Sequence, residues 1–309
     1  MLKFLLNRIA QSILVLIGVT LVTFILLNVI PGDPVAVMLN RRADQETMDR
    51  VRHELGLDRP LPTQYIEFLG NTTKGDFGKS YFEKKPVSEM IWSGFKVTAR
   101  LGLYSFIFAS ILGLAIGILS GINRGKFIDR SLMFISMLGI SAPVFWVAII
   151  LQIIFGLKLK MLPISGVSTP AHFVLPTIAL GLRYAASTAR LTRTNVLEAL
   201  SQDYVKTARS KGLSEFVVIM KHVLKNVAIP IITLMGLQIK GILGGSMIVE
   251  SIFSLPGVGK LAISAIMSRD IPVIQATVVY IAIIFVVINL ILDLLYGYLD
   301  PRVRVSKGV

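Results

Sequence analysis

Two ionisable side chains stand in or beside an apolar run long enough to cross a bilayer, and chemistry is sought there first. Lys240 interrupts the stretch from Asn226 to Val249, and Glu250 follows at its end. Charge at such depth is costly and usually functional. Both are therefore candidates for lining a translocation path, where Lys240 would meet a substrate carboxylate. Pairing with a neighbouring subunit, or snorkelling, are the alternatives for Lys240. The two lie ten residues apart, about 15 Å along a straight helix and on different faces, which excludes a direct pair. Glu250 reads instead as an anchor for the loop from Ser251 to Pro272, where Leu261, Ile263, Ile266 and Met267 suggest a short, partly buried helix.

Enzymatic chemistry finds little support. A phosphate-cradling loop needs two spaced glycines before its Lys-Ser pair. Gly78-Lys79-Ser80 supplies only the end of that motif, because the first glycine would fall on Thr73. His53, His172 and His222 are far apart with no ligand spacing, and cysteine is absent. That removes disulfides, thiolate metal sites and a catalytic thiol. No Ser/His/Asp order or intramembrane carboxylate pair argues for catalysis. The chain is expected to have no catalytic residues and no metal ligands, and to draw its energy from a partner.

The elements that must hold these residues are membrane helices. Charged residues make up only 16% of the 309-residue chain, where soluble domains run near a quarter. Six stretches are long enough to cross a hydrocarbon core of about 30 Å. Residues 9–30, 101–123, 131–157 and 271–292 carry no charge, and 226–249 carries only Lys240. The sixth, about 161–182, holds Pro163, Pro170 and Pro176, so its helix should begin near Ala171 and continue toward Arg190. Arg100 and Arg183 read as interfacial anchors. The first run is read as a retained helix, since Pro31-Gly32-Asp33-Pro34 stands where a cleavage site would be.

Lys and Arg accumulate in cytoplasmic loops. With the N-terminus inside, the inner segments hold 16 basic and five acidic residues, while the outer segment 31–96 holds ten of each. Both termini are thus expected in the cytoplasm, and the net charge of +14 is a topogenic signal rather than a sign of nucleic acid. Segment 31–96 should form an extracytoplasmic cap. In it Ala43 to Gly56 reads as an amphipathic helix, with Met48, Val51 and Leu55 on one face and Gly56 as its stop. Gly113, Gly117 and Gly121 permit close helix packing, within the chain or against a second one.

The segment 190–228 is patterned. From Asn195 to Lys211, Leu197, Leu200, Tyr204 and Ala208 recur at helical spacing, and Gly212 ends the helix. Ser214 can cap a second helix, whose apolar stripe is Phe216, Ile219, Met220, Val223, Leu224 and Val227. Such a glycine-broken pair either inserts into a partner's groove or packs on its own spans.

The run Asp203-Tyr204-Val205-Lys206-Thr207-Ala208-Arg209-Ser210-Lys211-Gly212, with Lys221-His222-Val223-Leu224-Lys225-Asn226 and Pro230, resembles the coupling-loop signature of ABC-transporter permeases in the dipeptide, oligopeptide and nickel importer branch. Pro31-Gly32-Asp33-Pro34, Gly75-Asp76-Phe77-Gly78, the segment Glu250 to Gly259 and Leu299-Asp300-Pro301-Arg302 are similar to the same branch. The wider superfamily motif is met poorly: Lys206, Thr207 and Ala208 stand where it has Glu-Ala-Ala, and Lys225 where it has proline. The resemblance implies an all-α type I ABC importer permease of about six transmembrane helices in a bacterial or archaeal cytoplasmic membrane. As implied partners it brings a second homologous permease, one or two cytoplasmic ATPase subunits and an extracytoplasmic binding protein. ATP and Mg would bind to the ATPases and no cofactor to this chain. Tyr204, Thr207, Ala208, Lys211, Gly212 and Leu213 would face the ATPase. Short peptides are the cargo implied, with nickel, glutathione or heme-like cargo as alternatives. A self-contained channel or ion-coupled carrier, and a scaffold without transport, are the rival readings.

Overall fold

The computed structural model describes residues 2–29, 34–39 and 44–299. Helices α1 (Leu2–Val29), α2 (Pro34–Met38), α3 (Gln45–Glu54) and α4 (Leu61–Thr73) precede a long helix, α5 (Val87–Ile122). A bent pair follows, α6 (Phe127–Ser141) and α7 (Val144–Leu151), the latter running into a π-helix at Gln152–Lys158. Then come α8 (Val174–Leu200), α9 (Asp203–Ser210) and α10 (Glu215–Val217), a π-helical turn (Val218–Val223), α11 (Leu224–Ile252), α12 (Val258–Ser268) and α13 (Ile271–Leu299). The expected Pro31-Gly32-Asp33 and Asp300-Pro301-Arg302 segments lie outside the described residues.

Among the described residues, four helices are long and apolar enough to cross a membrane: Leu6–Asn28, Val87–Ile122, Glu215–Ile252 and Ile271–Leu294. The expected crossing 131–157 is a helix pair, Phe127–Ser141 and Val144–Lys158, bent by 106° at the break, and counted as one broken span it makes a fifth candidate. Pro143 explains the break, since it has no N–H to donate and forces the residue before it out of the helical region. Ala142 accordingly sits at φ −73°, ψ 129°. The remaining expected crossing is α8, whose 27 residues reach about 40 Å at 1.5 Å rise per residue but carry too much polarity to pass on composition.

The chain divides into two compact units. Of the described residues, the first comprises 2–29, 34–39, 44–97 and 256–290. Its core joins Val87 and Ile91 to Ala265, Val273, Ile274 and Ala276, with Leu27 and Phe77 against them. The amphipathic helix forms as α3. Asp44 caps it by accepting from the Thr47 backbone N (3.3 Å) and hydroxyl (2.7 Å), and Gly56 stops it at φ +67°. A buried carboxylate pins the turn before α5: Asp270 accepts from Ser80 Oγ (2.5 Å) and Tyr81 N (3.1 Å). Burial, with the Asp270 charge nearby, pushes the Tyr81 phenol up to about 12. In α12 the buried face is the small-residue one, Val258, Gly259, Ala262 and Ala265. The expected short, partly buried helix is thus present; of the residues that suggested it, Leu261 and Ile263 are half-buried and Ile266 and Met267 are exposed.

Of the described residues, the second unit comprises 98–255 and 291–299, and α8 is its axis. Helices α6, α7 and α11 pack on α8, and α5 approaches so closely that a Cβ at Gly113 would lie 2.7 Å from the Ala185 carbonyl and one at Gly117 2.7 Å from that of Ala189. The glycine spacing thus serves contact within the chain. Only small residues permit that approach, which in a bilayer is a main source of helix association.

Candidate functional site

The patterned segment is a knob at the end of α8. Instead of one helix from Asn195 to Lys211, α8 ends at Leu200 and α9 starts at Asp203. Ser201 makes the break: its hydroxyl and its backbone N both donate to the Glu198 carbonyl, at 2.7 and 3.2 Å, the local competition with helical bonding typical of serine. Gln202 is then extended (φ −77°, ψ 153°). The expected stop at Gly212 is observed as a left-handed turn at φ +76°, a conformation that favours glycine. Ser214 begins the next helix by its backbone carbonyl, which takes the Val218 N at 3.0 Å, and makes no side-chain cap.

Under this turn lies a packed base of Val196, Ala199, Val205, Ala208, Val218, Val223, Val227 and Ile231. Each fully buried valine there contributes about 1.5–3 kcal/mol, enough to hold two helices of eight and three residues that would not persist alone. Arg209 forks onto Glu215 across the turn, Nε to Oε1 at 2.7 Å and Nη2 to Oε2 at 3.1 Å. Both groups are exposed, so solvent screens this clasp and it adds little to stability.

Of the six residues expected to face a partner, Tyr204, Thr207, Lys211, Gly212 and Leu213 are on the exposed side of the knob. Ala208 is 4% exposed and belongs to the base. The expected apolar stripe divides in two. Val223 and Val227 are buried, while Phe216 and Met220 stand 72% and 51% exposed beside Leu213. Helical spacing alone could not separate these halves, because the π-turn at Val218–Val223 shifts the register that a 3.6-residue period assumes.

A second polar device ties α8 to the turn between α5 and α6. Arg193 donates to Asp129 through Nε (2.6 Å) and Nη2 (2.8 Å), Gly125 N donates at 2.9 Å, and the Ser120 hydroxyl bonds the same carboxylate. Asp129 is buried and fully engaged, a fork geometry that fixes position as well as charge. Nothing in the sequence spacing announced this pair, 64 residues apart.

The two path candidates differ. Glu250 is fully buried: it accepts from the Thr98 hydroxyl at 2.7 Å, and its backbone carbonyl takes Leu255 N at 2.8 Å, as an anchor would. Lys240 is half-buried, and among the described residues no hydrogen bond or ion pair reaches it. Arg183, expected at a span end, is the tenth residue of α8.

The sequence of the chain matches a known group. Residues 113–305 fit the family "Binding-protein-dependent transport system inner membrane component", and residues 1–102 its N-terminal part, "Binding-prot-dependent transport system membrane comp, N-term". The chain belongs to this family. It is the membrane-spanning permease subunit of an ABC importer, and the branch read from its motifs holds. The permease is 40% identical to the glutathione transport system permease protein GsiC of Pectobacterium atrosepticum, over 98% of this chain and 99% of that one. It is 39% identical to the protein of the same name from Escherichia coli K12, with the same coverage. Among solved structures, the permease is similar to a MetNI methionine ABC transporter in an inward-facing conformation, with a TM-score of 0.58, 16% identity and coverage of 68% of this chain and 96% of that one. It is also similar to an amino acid ABC transporter crystallised with histidines, with a TM-score of 0.54, 19% identity and coverage of 68% and 94%. These likenesses are of fold, the all-α type I importer permease fold.

Proposed function

We propose that this permease imports short peptides, glutathione among them, by alternating access driven by separate cytoplasmic ATPase subunits. The knob carries the reading. Tyr204, Thr207, Lys211, Leu213, Phe216 and Met220 form an exposed, largely apolar surface on a rigid base, suited to a groove on a partner. Gly212 at its tip lets the two short helices fold back on each other. The similarity to glutathione permeases over nearly the full chain supports the cargo, with dipeptides and oligopeptides in the same class.

In this reading the knob, the N-terminus and the C-terminus lie in the cytoplasm, as the excess of basic residues on that side supports, 14 against five acidic when Arg183 and Arg190 of α8 are set aside. A second permease completes the passage, and a binding protein delivers cargo to the 31–96 cap. ATP and Mg sit on the ATPases. Closure of the ATPases pushes the knob, α8 moves with it, and Asp129–Arg193 carries the movement into the α5–α6 turn.

The test is Gly212→Val in the transporter reconstituted with its ATPase and binding protein. A β-branched residue at φ +76° costs about 1–2 kcal/mol locally, while the site is open, with nothing within 4 Å of an added Cβ. Membrane insertion should be unchanged, and ATP hydrolysis should lose its link to uptake. Full uptake by this variant would overturn the docking role.

A further inference from the structure

The contacts between α8 and α11 set a register. A Cβ on Gly241 would meet the Tyr184 hydroxyl, one on Gly245 would meet Leu180, and Thr188 donates to Gln238 Oε1 at 3.2 Å. Residue numbers fall on one helix as they rise on the other, so the pair is antiparallel. Arg183 comes level with Ile242 and Arg190 with Met235, both well inside the apolar stretch of α11. Arg183 and Lys240 each precede a contact residue, Tyr184 and Gly241, by one position. In an antiparallel pair that equal offset turns both side chains to the same side.

That side of α8 differs from every other. Arg183, Ser187, Arg190 and Thr194 follow one another at spacings of four, three and four residues, a single helical face. Arg183, Arg190 and Thr194 are exposed and Ser187 is half-buried. The rest of α8 is closed by α5, α6, α7 and α11. Pro176, two turns before Arg183 on the same face, is buried, so the open stretch starts below it. Among the described residues no hydrogen bond or ion pair reaches the side-chain nitrogens of Arg183, Arg190 or Lys240. Three unpaired cations on one face at mid-depth are not solvated by hydrocarbon, and intramembrane charges of this kind line a water-filled cavity.

We propose that Arg183, Arg190 and Lys240 form a cationic wall of the translocation passage that selects for solutes bearing two carboxylates. The two arginines are seven residues apart, about 10 Å along the helix, and an extended tripeptide spans about 10 Å. Each guanidinium takes a carboxylate in the planar fork that lysine cannot provide, and Lys240 raises the potential between them. A short peptide with a carboxylate at each end can therefore hold both arginines at once. This deepens the importer reading and rests on it for the nature of the cargo.

The chain has no cysteine, which permits a direct test. Ser187→Cys is placed in the assembled transporter and labelled with two membrane-impermeant thiosulfonates of similar size, one carrying a sulfonate and one a trimethylammonium. A cationic water-filled wall gives labelling by the anionic reagent about tenfold faster. Adding Arg183→Gln and Arg190→Gln should bring the two rates together, while Arg183→Lys with Arg190→Lys should keep the difference. Equal rates on the arginine background would overturn the wall, as would no labelling by either reagent, the mark of a face covered by lipid or by a second permease. Labelling is read without cargo or ATP. ATP-driven glutathione uptake by the unsubstituted transporter, measured alongside, therefore reports separately on the importer reading.

Discussion

Helices α1 and α8 have nearly the same length, 28 and 27 residues, and opposite surroundings. Only 11% of the apolar core of α1 is buried, and Leu6, Ile13, Leu14, Val15, Val22 and Leu26 point outward from several sides. Helix α8 buries twelve residues, mostly Ala, Gly, Thr and other small side chains, and leaves one polar face open. The first helix keeps most of its apolar surface uncovered by the chain, and the second is largely covered by its neighbours. A helix in lipid must be apolar but is indifferent to shape. A helix inside a bundle must fit its neighbours closely and can carry polarity, because other helices cover it. The chain ends the shape-constrained helix in the knob, so under the proposed function the most closely packed helix would be the one that carries movement from the knob.

Adding bulk to each helix gives the largest expected contrast. A Cβ at Gly117 would lie 2.5 Å from the Thr192 Cβ, whereas Gly18 has nothing within 4 Å. Gly117→Leu should cost more than about 3 kcal/mol and abolish monodisperse protein in gel filtration from detergent. Gly18→Leu should leave yield and melting temperature unchanged. Similar losses from both would erase the distinction between the two helices.

Removing one partner of the buried fork comes next. Asp129→Asn should destabilise by about 2 kcal/mol, since it removes the buried charged acceptor of the part-buried Arg193 fork. In a double-mutant cycle with Arg193→Met, the coupling should be of the same order, read from thermal unfolding in detergent. Additive losses would mean that Asp129 is held by Ser120 and Gly125 alone.

The smallest change in stability belongs to the knob's exposed surface. Phe216→Ala, at a site 72% exposed, should shift unfolding by less than about 0.5 kcal/mol and still reduce coupled transport several-fold. Glu215→Gln breaks only the exposed clasp with Arg209 and should change both stability and transport least. A large loss of stability in Phe216→Ala would reassign that side chain to the base.

What could be read in the sequence follows the same division. The lipid-facing runs were legible because hydrocarbon demands an apolar side chain at nearly every position. Helix α8 was legible only through its basic residues and its neighbouring prolines, since polarity in a protein-lined helix lowers the one signal that composition offers. The bend at Ala142–Pro143 was overlooked for the opposite reason: the run 131–157 is apolar throughout, and hydropathy does not register a missing N–H. In the knob, Gly212 was read correctly because a left-handed turn leaves few choices of residue. Ala208 was placed on the partner-facing side although it is buried, and Phe216 was grouped with Val223 and Val227 in one stripe although it is exposed and they are not. Their exposure depends on the break at Ser201 and the π-turn at Val218–Val223, which shift the helical phase without changing the pattern. The Asp129–Arg193 fork and the Arg183–Arg190 face needed the fold itself, because only packing brings residue 129 to residue 193 and leaves one side of α8 open.

Docking of the knob on the ATPase is tested most directly by cross-linking. Leu213→Cys and Phe216→Cys, each carrying a thiol-linked benzophenone, are illuminated in membranes containing the assembled transporter, with Ser268→Cys on α12 as the control. Docking predicts that the two knob positions capture the ATPase subunit and that the control does not. Capture of only lipid or this chain itself from both knob positions, in a transporter that still couples ATP to uptake, would contradict it.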